Sequence, residues 1–343
     1  MRLSLCIATL NRAGYIGQTI DAILPQLTPE VELVVVDGAS HDETPTLMAQ
    51  YERLHPNIVY RREAQNCGFD SDFDKAVAYA RGDYCWLMSD DDLIVPGAIA
   101  QVLTRLADSP QAVIVNADIR DRELRELLKP RQMALDDDRD YGEADHERFL
   151  TDAGSYLSFI GAVVVERAWW LGRERAAYYG SMFVHMGVLF QLPAPALVKC
   201  VAQPLVQIRY GNAQWTARAF EIWMFKWPSL IWSFGHFSEK ARCQVSCRHP
   251  GTSLRTLVWY RGLGAWDAAQ LSHDGIAPRE RVFHALAPLV SRLPVRPLNA
   301  ALAVYCAISR HGDSAMKLYD LAQSAGSSAT ARRLARRSRF AGK

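Results

Sequence analysis

The sequence lacks a hydrophobic run long enough to span a membrane. A membrane helix needs roughly 18 apolar residues, and the closest stretch, IWMFKWPSLIWSF (Ile222 to Phe234), is interrupted by Lys226 and Pro228. The N-terminus leads directly into a strand-like segment, RLSLCIA, so we expect no signal peptide. We therefore predict a cytoplasmic chain that is either soluble or peripheral to a membrane.

A disulfide framework is also missing. The seven cysteines are Cys6, Cys67, Cys85, Cys200, Cys243, Cys247 and Cys306. Cys6 and Cys85 lie within apolar strand-like runs, where a free thiol packs as a small hydrophobic group. Cys243 and Cys247 are four residues apart, but the nearest histidine, His249, gives no zinc-site spacing. We expect reduced thiols and no structural zinc.

The sequence has almost no net charge, because 39 basic and 37 acidic residues leave +2. No RNA- or DNA-binding motif accompanies the arginines, so we expect no nucleic-acid partner. Basic residues do accumulate in ATARRLARRSRFAGK (Ala329 to Lys343), which has six of them and no acid. Such a tail can attract an anionic lipid surface or act as a disordered solubilising segment, and both interpretations stay open.

Tryptophans recur in the same part of the chain, at Trp215, Trp223, Trp227 and Trp232. Spacings of eight, four and five residues favour core packing along a helix. A competing interpretation is a surface that inserts at a bilayer interface, where tryptophan is enriched.

Short apolar runs alternate with helical patterns over the first 116 residues. The predicted strands are Leu3 to Ala8, Val31 to Asp37, Asn57 to Glu63, Tyr84 to Met88 and Ala112 to Asn116. Strands this short and apolar, separated by helices, predict an α/β fold with a doubly wound, mostly parallel sheet covered on both faces. The charged segment from Asp118 to Glu147 is predicted to be a loop or a mobile helix, and the C-terminal region to be helical.

Polar residues cluster at the carboxyl ends of the predicted strands, which is where ligands of such sheets bind. The residues concerned are Thr9, Asn11, Arg12, Asp37, Gly38, Ser40, Gln65, Asn66, Gly68 and Ser89 to Asp92. Since the carboxyl ends of parallel strands meet at one edge, we expect these four groups to form one rim.

The most conspicuous of the four groups is Asp90, Asp91 and Asp92, which follow the buried run YCWLM. Two unit charges about 4 Å apart repel by roughly 4 kcal/mol at an effective dielectric constant near 20. Full solvation, a basic partner or a bound cation must offset this repulsion. Carboxylates beside a diphosphate are typical ligands of Mg²⁺, and of Mn²⁺ in similar sites.

Four stretches together resemble family 2 glycosyltransferases with the GT-A fold. They are CIATLNRAGYIGQTIDAIL, VELVVVDGASHDET, NCGFDSDFDKAVAYARGDYCWLMSDDD and VPGAI. The part from Asn66 to Asp92 is most similar to abequosyltransferase-like enzymes of bacterial O-antigen assembly. The resemblance implies a hexosyl- or deoxyhexosyltransferase that uses a nucleotide-diphosphate sugar and Mg²⁺ or Mn²⁺. It also implies a saccharide acceptor, lipid-linked or growing, at the inner face of the plasma membrane.

The resemblance implies a role for individual residues. The implied nucleotide-sugar ligands are Thr9, Asn11, Arg12, Asp37, Ser40, Asn66, Gly68, Asp70 and Asp90. Asp91 would hold the metal ion with Asp90 or Asp92, although Ser89 stands where the family's first motif aspartate is usual. His185 and Met186 replace the usual Glu-Asp pair of the acceptor half. We predict His185 as the catalytic base, with metal or phosphate binding as the alternative.

The predicted organisation has three parts. Residues 1–118 form the nucleotide-sugar-binding half, 119–209 the acceptor-side half of the same domain, and 210–343 a mostly helical region with the basic tail.

A sugar nucleotidyltransferase is an alternative function. Such enzymes share a glycine-rich basic loop after the first strand, and the segment IATLNRAGYI lacks these glycines. A catalytically inactive nucleotide- or sugar-binding module is a second alternative.

Overall fold

The structure is a computed structural model that describes residues 1–212, 218–267, 281–309 and 314–338. Its chain divides into two compact units. The first comprises Met1–Tyr210 with Leu230–Ser246, and the second Gly211–Ser229 with Cys247–Lys343. The boundaries predicted after residues 118 and 209 stay predictions. Trp215 and the end of the basic tail, including Phe340, lie outside the described residues.

The first unit is built on a ten-stranded sheet. Its strands are β1 (Leu3–Thr9), β2 (Val31–Asp37), β3 (Ile58–Arg62), β4 (Tyr84–Met88), β5 (Leu93–Ile94), β6 (Ala112–Arg120), β7 (Leu127–Lys129), β8 (Arg139–Gly142), β9 (Val163–Glu166) and β10 (Leu197–Arg209). The order is β3-β2-β1-β4-β9-β6-β10-β5, with β7 on β6 and β8 on β10. Strands β3, β2, β1 and β4 are parallel, as are β6 and β10, whereas β9 is antiparallel to both β4 and β6.

Helices connect these strands and make up the second unit. They are α1 (Ala13–Ile23), α2 (Thr44–Leu54), α3 (Phe69–Tyr79), α4 (Ala98–Arg105), α5 (His146–Ala153), α6 (Arg167–Leu171), α7 (Val184–Phe190), α8 (Ala219–Glu221), α9 (Trp227–Ser233), α10 (Glu239–Val245), α11 (Leu254–Gly262), α12 (Arg281–Ser291), α13 (Val295–Ile308), α14 (Ser314–Gln323) and α15 (Ala329–Ser338). A π-helical turn, Ile222–Lys226, joins α8 to α9. The predicted α/β class with a helical C-terminal region is confirmed.

Strand β2 shows why this sheet lies inside the protein. All seven of its residues are buried, so both faces of the strand are covered, as expected for a parallel strand between helices. The register of β2 with β1 places Asp37 beside Thr9. The register of β1 with β4 places Ile7 beside Met88. The carboxyl ends of β1, β2 and β4 therefore meet at one edge of the sheet, as the sequence predicts.

The segment from residue 118 to 147 differs from the prediction of a loop or mobile helix. Strand β6 runs on to Arg120, and β7 and β8 follow before α5 begins at His146. The polar alternation of Asn116, Asp118 and Arg120 conceals the strand in the sequence. In the fold these residues are stabilised by pairing with β10.

The second unit packs its helices around apolar side chains. One cluster of buried residues comprises Phe220, Met224, Leu257, Trp266, Ala287 and Val290, and another comprises Ala303, Cys306, Leu318, Leu321, Ala331 and Ala335. Trp227 is buried, and its ring meets that of Trp223 edge-on at 5.8 Å between centroids. Core packing is therefore the better account of Trp227. Within the described residues, no helix has the length and apolar character needed to cross a membrane.

A buried carboxylate ties β1, β2 and the start of β4 together. Glu32 of β2 is fully buried and accepts a 2.7 Å hydrogen bond from the Ser4 hydroxyl. It also accepts bonds from the Arg81 backbone amide at 2.6 Å and from the Arg81 side chain at 2.9 Å. Burial alone would raise the pKa of Glu32, but these hydrogen bonds and the Arg81 charge outweigh burial and lower it.

We expect Glu32→Gln to lower the free energy of unfolding at pH 7 by about 2 kcal/mol, because the charged hydrogen bonds to Ser4 and Arg81 are lost. Urea denaturation followed by circular dichroism measures this. Because the folded-state pKa is lowered, the stabilisation is present above the unfolded pKa of about 4.3 and is lost as the pH falls below it. The difference between variant and wild type should thus shrink between pH 6 and pH 3.

Glu30→Gln is the matched control, since Glu30 is exposed and precedes the same strand. It should leave stability unchanged within about 0.5 kcal/mol. A Glu32→Gln protein as stable as this control at pH 7 would contradict the role of the buried network.

Candidate functional site

Arg12 is the basic partner that offsets the aspartate cluster after β4. It lies in the turn between β1 and α1, and its Nε atom is 3.1 Å from Asp90 Oδ1 while a terminal nitrogen pairs with Asp91 Oδ2. The three side chains are only 7%, 14% and 13% exposed. The Thr9 hydroxyl donates to Asp90 Oδ2 at 2.7 Å. The carboxylates are thus neither splayed into solvent nor left unpaired.

The Arg12 guanidinium does not remove the repulsion among the carboxylates. Burial, followed by the charge of Asp91, raises the pKa of Asp90 to about 7, although Arg12 and Thr9 act in the opposite direction. Burial and the charge of Asp91 likewise raise the pKa of Asp92 well above its ordinary value. Ionisation of Asp90 and Asp92 is therefore unfavourable in this arrangement, and a bound cation would favour their charged forms.

Arg209 is a second arginine at this cluster, and sequence reasoning missed it. Its backbone amide donates to Asp92 Oδ1 at 2.7 Å, and its side-chain Nε donates to the Asp91 carbonyl oxygen at 2.8 Å. The guanidinium lies 5.3 Å from the centroid of Tyr15, and that of Arg12 lies 4.6 Å from the same ring. The two arginines fix the backbone and the side chains of the cluster around one aromatic residue.

The loop after β2 is held to the loop after β1. Asp37 is fully buried, with Oδ1 accepting from the Ser40 amide at 2.7 Å and Oδ2 accepting from the Tyr60 hydroxyl at 2.6 Å. The Ser40 hydroxyl in turn accepts from the Asn11 amide at 2.8 Å. Asn11 adopts a positive φ of 53°, a conformation that asparagine tolerates better than most residues. In this structure Asp37 organises the loop, and its base-binding role stays a prediction.

The loop after β3 brings Asn66 and Gly68 together at the start of α3. Asn66 Oδ1 accepts from the Gly68 amide at 2.8 Å, and Gly68 has a φ of +91°, which only glycine adopts readily. Asp70, predicted as a nucleotide-sugar ligand, binds backbone amides in this structure. Its two oxygens accept from the Met182 and Val184 amides, each at 2.9 Å, so this carboxylate holds the start of α7.

His185 lies inside the first unit and not at its surface. Its exposed fraction is 0%, Nε2 lies 2.7 Å from the Leu157 carbonyl oxygen, and Nδ1 has no hydrogen-bond partner among the described residues. Burial lowers the pKa of His185 to about 4. A general base must reach the proton it removes, and an enclosed imidazole does not. The geometry therefore does not support the prediction that His185 is the catalytic base.

The residues of the acidic cluster fit a divalent cation by their donor chemistry. Among the described residues, no group of three or more His, Cys, Asp or Glu side chains converges to hold a metal ion. A protein-only cage is therefore not present in that part of the chain. Mg²⁺ usually binds one or two carboxylates and completes its shell with water and substrate phosphate oxygens. Asp91, with Asp90 or Asp92, suits that kind of site.

Known proteins resemble the chain along most of its length. It is 27% identical over 226 residues to abequosyltransferase RfbV of Salmonella typhimurium, which is 62% of this chain and 68% of that protein. It also matches the uncharacterized protein MT1568 of Mycobacterium tuberculosis, at 28% identity over 52% of this chain and about half of that protein's length.

Solved structures show the same fold at low identity. S. aureus TarS 1-349 in complex with UDP-GlcNAc has a TM-score of 0.56 and 12% identity, covering 99% of this chain and 92% of that one. The mannosyltransferase PcManGT from Pyrobaculum calidifontis, in complex with GDP-Man and Mn²⁺, has a TM-score of 0.52 and 16% identity, covering 100% and 88%. These likenesses confirm the GT-A-type fold.

The family model described as glycosyl transferase family 2 matches residues 4–176, which is half of the 343-residue chain. That range contains the loops after β1, β2 and β3 and the whole aspartate cluster. The match to this family model also favours a glycosyltransferase over a sugar nucleotidyltransferase. The chain belongs to glycosyl transferase family 2 and is a glycosyltransferase similar to abequosyltransferases.

Proposed function

We propose that the enzyme transfers a hexose or deoxyhexose from a nucleotide-diphosphate sugar to a saccharide acceptor with the help of Mg²⁺ or Mn²⁺. The observation that carries this proposal is the meeting of Asp90, Asp91 and Arg12 with the loops after β1 and β2 at one edge of the sheet. Ligands of parallel sheets bind at this edge.

The structural relatives support the donor class. One is described with UDP-GlcNAc and another with GDP-Man and Mn²⁺, and both share the fold of this chain. A nucleotide-sugar donor with a divalent cation is thus compatible with the architecture, and the carboxylate oxygens of Asp90 to Asp92 agree with it.

The proposed roles follow the order of the strands along the edge. Asp91, assisted by Asp90 or Asp92, would hold the cation, which when bound offsets the negative charge of the departing diphosphate. Arg12 pairs with part of the cluster and would lie beside the same diphosphate. The nucleotide would lie against loops containing Thr9, Asn11, Ser40, Asn66 and Gly68. Asp70 would act indirectly, by positioning α7.

The acceptor is proposed to be a saccharide, free or lipid-linked, in bacterial surface polysaccharide assembly. One relative of the chain, an abequosyltransferase, transfers a sugar, which agrees with this proposal. Helix α15 offers a means of approach to an anionic membrane, because Arg332, Arg333, Arg336 and Arg337 are exposed while Ala331 and Ala335 pack inward. The contact would be electrostatic.

Nucleotide binding should depend on the cation and on Asp91. A nucleoside diphosphate present at 100 times its Kd stabilises the folded protein by about 2.7 kcal/mol, which corresponds to a rise in Tm of several degrees. We expect one of UDP, GDP, CDP and dTDP to produce this rise with Mn²⁺ and to lose most of it with a chelator or in Asp91→Asn. Differential scanning fluorimetry measures the change.

Asp136→Asn, which alters a fully exposed carboxylate, is the control and should respond as the wild type does. If none of the four nucleotides changes Tm in the presence of Mn²⁺, the proposed function is wrong.

His185→Asn should affect stability and not catalysis. We expect the rate of nucleoside diphosphate release from the donor sugar to stay within threefold of wild type while Tm falls, because the imidazole is a buried packing group. Removal of a general base lowers rates by about 10² to 10⁴. A folded His185→Asn enzyme slowed to that extent, with an unchanged Tm, would restore His185 as the base.

Binding to anionic vesicles should depend on the arginines of α15. Each exposed arginine contributes roughly 1 kcal/mol at an anionic surface, so Arg332→Gln with Arg336→Gln should weaken partitioning roughly 30-fold. Co-sedimentation with vesicles of phosphatidylglycerol and phosphatidylcholine measures it. The control pair, Arg53→Gln with Arg61→Gln, removes two exposed charges from the first unit. Equal binding by both pairs would contradict a role for α15.

A further inference from the structure

Asp72 is a carboxylate of the first unit that retains unused hydrogen-bonding capacity. It lies on α3, its side chain is 6% exposed, and its Oδ1 atom has no hydrogen-bond partner among the described residues. Lys75 is near, but its Nζ atom stays 3.8 Å from Oδ1, beyond hydrogen-bond distance. Such a buried acceptor costs free energy unless a ligand uses it.

The Asp72 carboxylate lies directly against the loop after β2. A Cβ atom built on Gly38 would be 2.6 Å from Asp72 Oδ2 and 3.7 Å from Asn66 Oδ1. Glycine at position 38 therefore leaves room for Asp72 where a side chain of the loop would otherwise lie. The Asp72 carboxylate thus lies beside the loops that are predicted to bind the nucleotide. Its position in the sequence does not indicate this proximity.

The order of the strands indicates which part of a nucleotide would meet Asp72. Asp91 follows β4, Thr9 ends β1, and Gly38 follows β2, so the sites lie in this order along the edge. Two strand spacings, roughly 10 Å, separate the ends of β4 and β2. If the diphosphate lies at Asp91, as the proposed function has it, the base lies toward Gly38 and Asp72.

Asp37 is the other carboxylate at this end, but its hydrogen bonds are already made. Both of its oxygens accept from groups of the protein, Ser40 and Tyr60, and its exposed fraction is 0%. Asp72 is consequently the better placed of the two to accept a new hydrogen bond from a base.

The protonation state of Asp72 decides which base edge it prefers. Burial, then the charges of Glu63 and Asp37, raise the pKa of Asp72 to about 6, while Lys75 opposes the shift. At pH 7.5 the group is mostly ionised and only accepts hydrogen bonds. Guanine and cytosine present exocyclic amino groups, whereas thymine and uracil present carbonyl oxygens in the corresponding place, which a carboxylate repels, and offer only the ring N3–H as a donor.

We propose that Asp72 is a specificity-determining residue that accepts a hydrogen bond from the exocyclic amino group of the donor's base, so that the enzyme uses a cytidine- or guanosine-diphosphate sugar. The proposal rests on the proposed function. Its basis is the Oδ1 atom that makes no hydrogen bond among the described residues, the space that Gly38 leaves for the carboxylate, and the position at the base end of the edge.

Isothermal titration calorimetry tests the proposal by measuring the Kd of the 343-residue chain for CDP, GDP, UDP and dTDP, each with Mn²⁺. At pH 7.5 we expect CDP or GDP to bind at least tenfold more tightly than UDP and dTDP, and the comparison of CDP with GDP identifies the base. The preference should diminish at pH 5.5, where Asp72 is protonated. Asp72→Asn, whose side-chain amide can also donate a hydrogen bond, should weaken binding of the nucleotide with the amino group about tenfold and reduce the preference over UDP and dTDP. Asp136→Asn should change neither.

The outcomes separate this proposal from the proposed function. Binding that favours UDP or dTDP, or a preference unchanged in Asp72→Asn, overturns the assignment of Asp72 while leaving a nucleotide site in place. An equal loss for all four nucleotides also overturns it, since the carboxylate would then act on the ribose or on the fold. If no nucleotide binds at either pH, the proposed function fails, and this inference fails with it.

Discussion

The pairing of Arg12 with Asp90 and Asp91 is the interaction on which the candidate site depends. Three adjacent carboxylates at the end of a buried strand would repel one another. Because Arg12 pairs with Asp90 and Asp91, these two side chains can be only 14% and 13% exposed. The same pairing fixes the turn after β1 against the turn after β4. Arg12 matches the charge of only one carboxylate, and a bound cation would favour the charged forms of the others.

The surrounding hydrogen bonds give this site a fixed shape. Asp37, Ser40 and Asn11 join the loops after β1 and β2, and the Arg209 amide holds Asp92 from β10. Most of these side chains accept hydrogen bonds from backbone amides, so they fix the conformation of the loops. A site formed in this way requires little rearrangement of the backbone to receive a ligand, which favours binding.

Much of the donor half could be predicted from the sequence because its signals are local. Apolar strands, the polar residues directly after them and the run Asp90 to Asp92 are neighbours in the chain, and parallel pairing then brings their ends together. Arg209 and Asp72 could not be found this way. Arg209 is more than a hundred residues from the aspartates it holds, and the register of β10 with β6 is irregular. His185 occupies the place of the family's usual Glu-Asp pair, but its burial depends on packing that a sequence pattern does not report.

The position of β9 has a consequence for how this enzyme can be divided. Residues 163–166 lie between β4 and β6, so a strand from the later sequence completes the sheet that the earlier sequence begins. A fragment ending at residue 118 would expose the unpaired rim of β4, with its buried run of Cys85, Trp86 and Leu87, to other chains. Bare edges of this kind promote aggregation. The two stretches are therefore interlocked parts of one folding unit, and neither is an exchangeable module for engineering new donor or acceptor combinations.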